Sequence, residues 1–181
     1  MIKVQLNRFC TFECASAHGL AKARKKANAD TVKRAKAVRA VHKAAKERVK
    51  TRREWLDNLQ TLVNQYVLHV KEKGKPCCTC EKPRGVKFDA GHYRSRGACS
   101  ALSFELTNIH AQCSVNCNQH GSGMRSEYRE FITDRYGADH LEWLDGPHPS
   151  LKEQFPHYTD IKDEIARYRK LLRAEGLKPN H

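Results

Sequence analysis

Long apolar runs are missing from this chain. Only 39% of its 181 residues are hydrophobic, and no stretch approaches the roughly 18–20 consecutive apolar residues that cross a bilayer. A helical membrane span and a large apolar core are therefore not expected. The first residues, Met1 to Cys14, lack an apolar segment followed by a small-residue cleavage site, so a secretory leader is not expected either. The expected setting is a reducing cytoplasm with no membrane partner. Eight cysteines in such a compartment point to metal binding or catalysis before disulfides.

Acidic residues are scarce where basic ones are dense. Lys22 to Arg53 holds 14 basic residues against Asp30 and Glu47, so it carries +12 of the net charge of +14. Segregation of this kind points to a polyanion bound mainly through one segment, although a solvated charged stretch has the same composition. Glycine and proline are also missing from Leu20 to Lys50, so nothing there interrupts a helix. Its apolar content is a thin stripe of Val38, Val41, Ala45 and Val49, too narrow for the seam of a coiled coil. Residues 20–50 are read as an exposed basic helical arm, with Lys33, Arg34, Lys36, Arg39, Lys43 and Lys46 as candidate phosphate contacts.

Beyond the arm, Thr51-Arg-Arg-Glu54 has the form of a capping box. Trp55, Leu56, Leu59, Leu62, Val63, Tyr66, Val67 and Val70 follow at helical spacing, a broad apolar face that must be covered. Gly74 and Pro76 end that helix, so 51–73 is read as an amphipathic helix packing on the domain that follows. Short strands are expected over Val86–Tyr93 and Ile109–Gln112, then a helix from about Asn118 to Tyr136. After Gly146-Pro-His-Pro149, residues 146–181 form a linker and an amphipathic helix on Ile161, Ile165, Tyr168 and Leu172, stopped near Gly176.

Cys77-x2-Cys80 and Cys113-x3-Cys117 stand 32 residues apart. Each pair can place two thiolates on one knuckle, and two knuckles complete the tetrahedral shell that structural Zn2+ prefers. A domain with so little apolar content gains folding energy from such an ion. Cys78 and Cys99 are left over, with Cys78 able to compete for the ion. Cys10-x3-Cys14 and His18 make only part of a site, and residues 1–19 are read as a partial zinc-knuckle remnant. A thiol-redox reading of Cys77-x2-Cys80 lacks the βαβ setting that such motifs use.

Between the cysteine pairs lie Phe88-Asp-Ala-Gly-His-Tyr93 and Asn108-Ile-His-Ala-Gln112. Cys117-Asn-Gln-His120 and Ser122-Gly123 follow the second pair. This order resembles the ββα-metal fold of HNH (His-Me finger) nucleases, and more closely the phage NinG/Rap recombination endonuclease family, over about residues 76–136. The resemblance implies an α+β fold, with a zinc-stabilised HNH-like domain at 74–145 between the helical arm and the C-terminal helices. It also implies a Mg2+- or Mn2+-dependent endonuclease acting on branched DNA, such as Holliday junctions and D-loops, in phage recombination; the compartment would then be the host cytoplasm. Junction resolution in two strands would favour a homodimer, with the Trp55–Val70 face as its candidate surface. On that reading His92 is the general base, because its pKa is near neutral. Asp89 and Asn118 offer oxygens to a hard cation, and Asn108 positions the imidazole or the active-site loop. His120 is either a further ligand or a phosphate contact, and Arg94, Arg96 and Arg125 hold flanking phosphates. The chain departs from the family in its C-x3-C second pair, where C-x2-C is common, and in Gly121, where Lys is frequent. The alternative is a zinc-stabilised protein that binds DNA or RNA without cutting it.

Overall fold

The computed structural model describes residues 11–83 and 87–180. Cys10, and the strand start expected at Val86, lie outside the described residues. The chain divides into two units, 1–50 and 51–181.

Among the described residues, the first unit holds one 37-residue helix, α1 (Phe12–Arg48), with no buried residue in it. It begins earlier than composition suggested, because the Thr11 hydroxyl accepts from the Cys14 amide at 3.2 Å and caps the helix there. Cys14 and His18 therefore lie on a helix, not on a knuckle, and the helix runs through Gly19 without a break. Lys36, Arg39, Lys43 and Lys46 recur at helical spacing and form one exposed cationic face. Val38, Val41, Ala45 and Val49 occupy a different face, also exposed.

In the second unit the capping box is present. Thr51 and Glu54 exchange side-chain-to-backbone bonds, with the Thr51 amide donating to the Glu54 carboxylate at 2.8 Å. Helix α2 (Arg52–Tyr66) then widens into a π-type turn over Val67–Lys71, and Gly74 leaves it at φ +77°. Strands β1 (Phe88–His92) and β2 (Ile109–Cys113) pair antiparallel, with Asp89 opposite Gln112 and Gly91 opposite His110. Beyond them come α3 (Arg125–Tyr136), α4 (Ala138–Asp145), α5 (Leu151–Gln154) and α6 (Tyr158–Ala174).

Two differences from expectation change how the site is built. The helix expected over 118–136 is two pieces: a π-type turn at Ser114–His120 and then α3. Ser122, Gly123 and Met124 between them all have positive φ, a conformation no helix can continue through. The apolar face of α2 is covered within the chain. Trp55, Leu59, Leu62, Val63 and Val67 share one core with Ile161, Ile165, Tyr168 and Leu172 of α6 and with Ile109 of β2. The surface offered for a dimer is thus already filled, and 51–73, 74–145 and 146–181 fold as one unit. A second core joins Tyr93 and Leu102 to Tyr128 and Ile132 of α3 and to Leu141 and Leu144 of α4.

Candidate functional site

The four cysteines of the two spaced pairs meet. The Sγ atoms of Cys77, Cys80, Cys113 and Cys117 all lie within 4.8 Å of one another. Cys77 and Cys117 are 3.8 Å apart, and Cys80 and Cys113 are 3.6 Å apart. A tetrahedral thiolate shell with bonds of about 2.3 Å has edges of about 3.8 Å, so the cluster could hold a metal such as zinc. Burial alone would push the Cys77 thiol up. The Thr79 hydroxyl and the amides of Cys113, Thr79 and Cys80 outweigh it and bring Cys77 down to about 6. Burial and the neighbouring thiols raise Cys113 to about 12 and Cys117 to about 11. Crowded thiolates of this kind require a cation before all can ionise. Cys78, one residue from the cluster, faces the other way into the core of Tyr93 and Tyr128 and does not compete for the ion.

The cluster anchors the end of β2 and the turn after it, and that turn meets β1. Asp89 Oδ2 accepts from the buried Ser114 hydroxyl at 2.6 Å and from Asn118 Nδ2 at 3.1 Å. A carboxylate only accepts, so the Asn118 amide must turn its nitrogen toward it and its oxygen away. Asp89 Oδ1 and Asn118 Oδ1 have no hydrogen-bond partner among the described residues, which leaves two oxygens available to a cation. Gln112, opposite Asp89, donates to the Thr79 hydroxyl at 3.2 Å and to the Gly123 carbonyl at 2.7 Å. It ties the first knuckle to the positive-φ segment that follows the turn carrying Asn118. Gly91 is required beside it, since a Cβ there would meet Gln112 Oε1 at 2.5 Å.

His92 does not join this group. It ends β1, and strand alternation turns it to the face opposite Asp89. Its Nε2 lies 3.2 Å from the Ser103 carbonyl. Burial, aided by Arg96 and opposed by the Ser103 and Ala90 carbonyls, lowers its pKa. Among the described residues, the four cysteines are the only cluster of three or more His, Cys, Asp or Glu groups close enough to share an ion. His92, Asp89 and His120 are therefore not gathered into one, and His120 is exposed on the π-type turn.

Asn108 is fully buried and holds the loop, not the imidazole. Its Oδ1 accepts from the Arg94 amide at 2.8 Å, and its Nδ2 donates to the Arg94 and Leu102 carbonyls at 3.1 Å. Arg94, expected on a phosphate, instead donates Nη1 to the Leu144 and Gly146 carbonyls at 2.9 and 2.8 Å, closing the exposed end of α4. Arg96 pairs with Asp57 at 3.2 Å while half exposed. Arg125 is exposed, with its guanidinium 5.8 Å from the Tyr93 ring centre.

A family model described as Bacteriophage Lambda NinG protein matches residues 2–175. The chain belongs to this NinG family. Protein ninG of Salmonella phage P22 is 33% identical over 131 residues, covering 72% of this chain and 64% of the relative. Protein ninG of Escherichia phage lambda is 33% identical over the same length, covering 72% and 63%. That of Escherichia phage 933W is 35% identical over 106 residues, covering 59% and 52%. The chain thus spans less than two thirds of the length of these curated relatives. No solved structure matches it.

Sequence reasoning missed Ser114 and Gln112 in this NinG chain. Strand parity was the available signal: Ser114 continues β2 on the side of Gln112, which faces Asp89. It also left open how His110 is satisfied. Tyr128 donates to the Gly91 carbonyl at 2.9 Å, so it accepts from His110 Nδ1 at 3.1 Å, and Nε2 accepts from Tyr136 at 2.9 Å. Burial, with Lys71, Arg135 and Lys75 nearby, pushes His110 down to about 2. It is a neutral core imidazole.

Proposed function

We propose that this protein is a divalent-metal-dependent endonuclease of the HNH-like, His-Me finger kind, acting on branched DNA such as Holliday junctions and D-loops in phage recombination. One observation carries the reading: Asp89 and Asn118, from β1 and from the turn after the cysteine clamp, meet with an oxygen of each left over. A ribbon, a thiolate clamp and a following helix are the parts a ββα-metal domain needs. Mg2+ or Mn2+ held by Asp89 and Asn118 would steady the phosphate and the departing oxygen. The Ser103 carbonyl takes a proton on His92 Nε2, so Nδ1 is the nitrogen that would accept a water proton; the Ala90 carbonyl also bonds the ring and favours its protonated form. A lowered pKa keeps that nitrogen unprotonated at neutral pH. Asp89 stands three residues earlier on the opposite face, so the scissile phosphate has to lie across the end of β1 to meet both.

The test is cleavage of a four-way junction, a flap and a linear duplex with Mg2+ or Mn2+. Branched substrates should be cut first. His92→Ala should slow cleavage by about 10²–10⁴-fold with folding and DNA binding intact, and Asp89→Asn should raise the Mg2+ or Mn2+ concentration needed for half-maximal cleavage. Full activity in His92→Ala removes the mechanism. A second reading, a zinc-stabilised protein that holds DNA or RNA without cutting it, is favoured by the separation of His92 from Asp89. No cleavage of any substrate with either cation, together with salt-sensitive binding, would select it.

A further inference from the structure

Two hollows flank Phe104 in the second unit. The first, about 540 Å³, lies between the first turn of α2 and the 95–103 loop, and its lining includes Arg52, Arg53, Arg96 and Ser103. The second, about 460 Å³, is walled by Leu59, Leu102, Phe104, Phe155 and Trp143, with His148 beside them. Its lining also holds Glu105, which accepts from the Thr107 amide and hydroxyl, and Glu164, which pairs with Arg167. Phe104 lines both, and α5 borders both through Leu151 on one side and Gln154 on the other. One hollow is cationic; the other is aromatic, and its two carboxylates are each bonded within the fold.

The arginines differ in what they can offer. Arg52 donates Nη2 to the Leu151 and Phe155 carbonyls and so shapes the groove. Arg53 is 93% exposed, and its nearest acid, Asp57, is 4.0 Å away at the limit of an ion pair. Arg96 shares Asp57 and is half exposed. Three cations against one carboxylate leave the groove positive. In the aromatic hollow, Trp143 keeps 47% of its surface open yet is already held. His148 meets it edge-on at 4.8 Å and His140 lies 5.2 Å away at 31°, while His148 itself bonds the Leu144 carbonyl. A fixed, half-open indole orders little on binding.

We propose that the two hollows form one site for an unpaired DNA strand, with phosphates along Arg53 and Arg96 and one base lodged beside Trp143. A cationic track with aromatic platforms is how single strands are held without regard to sequence. The proposal rests on the DNA reading above and deepens it, because branched DNA offers unpaired nucleotides and linear duplex does not. It also explains position: Ser103 lines the groove and its carbonyl holds His92. A strand in the groove runs past the imidazole.

The experiment uses the full zinc-loaded chain without added Mg2+ or Mn2+, so nothing is cut. The probe is a duplex with a single-stranded flap carrying 2-aminopurine at successive positions, compared with the same duplex lacking the flap. One flap position near the branch should be quenched on binding. Trp143→Ala should remove the quench and weaken flap binding roughly 10-fold, within the range of one lost base stack, while duplex binding changes by less than about twofold. Trp143→Phe should restore most of it. Arg53→Ala should reduce the log–log salt slope for the flap by about 0.7. Equal losses on flap and duplex, or no quench at any position, overturn the proposal. So does Trp143 emission that responds to a small apolar dye and to no DNA. Since cleavage is not read, a negative result here leaves the endonuclease reading to its own assay.

Discussion

Helix α1 and the 51–181 unit are built on opposite principles. Along α1 no side chain is buried, and 11 basic residues stand against Glu13, Asp30 and Glu47, a balance of +8; its order comes from backbone bonds, a Thr11 cap and the absence of breakers. In 51–181, two amphipathic helices, a two-stranded ribbon and several short elements are held by two apolar cores and a four-cysteine cluster. A polyanion-binding helix needs only charge and length. A site that aims two oxygens and an imidazole needs packing to fix directions, and a small core needs a staple to supply it.

Removing the staple should separate the two regions most sharply. Metal analysis should find about one zinc per chain. Cys113→Ser or strong chelation should unfold 51–181, since structural zinc contributes on the order of 10 kcal/mol, while helical circular dichroism from α1 persists. An unchanged melt without metal would mean the cysteines act only as core. Deleting residues 20–50 should do the converse, leaving the melt of 51–181 in place and weakening DNA binding. If about five of its cations meet phosphates, the salt slope should flatten by about 4–5; an unaltered slope would show that the arm serves another partner.

Acid should act mainly on the second region. His110 has a folded pKa near 2 and titrates near 6.5 when unfolded, so the unfolded chain binds the extra proton. Its contribution is complete above about pH 6.5 and is lost as pH falls, by up to about 1.4 kcal/mol per unit. His110→Gln should reduce that slope in melts taken between pH 4 and 7. Cleavage governed by His92 should be flat around pH 7 and decline only on acidification, because its pKa is lowered. The smallest expected effect is at the cap of α2: Thr51→Ala should lower stability by about 1 kcal/mol, visible in denaturant midpoints and absent from cleavage rates.

Local chemistry was legible without coordinates. The Thr51–Glu54 box, the periodic face of α2, the α6 stripe and the two cysteine pairs depend on neighbours a few residues apart, and each appears in the structure. Turn chemistry was under-read: Ser122-Gly123-Met124 splits one expected helix into a π-type turn and α3, and Thr11 starts α1 ahead of Leu20. Long-range placement could not be read. Arg94 looked like a phosphate contact, yet the carbonyls that take its guanidinium come from Leu144 and Gly146, some 50 residues on.

By itself the sequence determined which residues could ligate, cap, cover a core or meet a polyanion, because those properties belong to side-chain chemistry and short spacing. Only the tertiary structure decided which of them face one another. Register and the π-type turn after β2 bring Ser114 and Asn118 onto Asp89, and strand alternation sends His92 to the other side. A side chain's direction is set by the backbone partner across the ribbon, and that partner lies some twenty residues away.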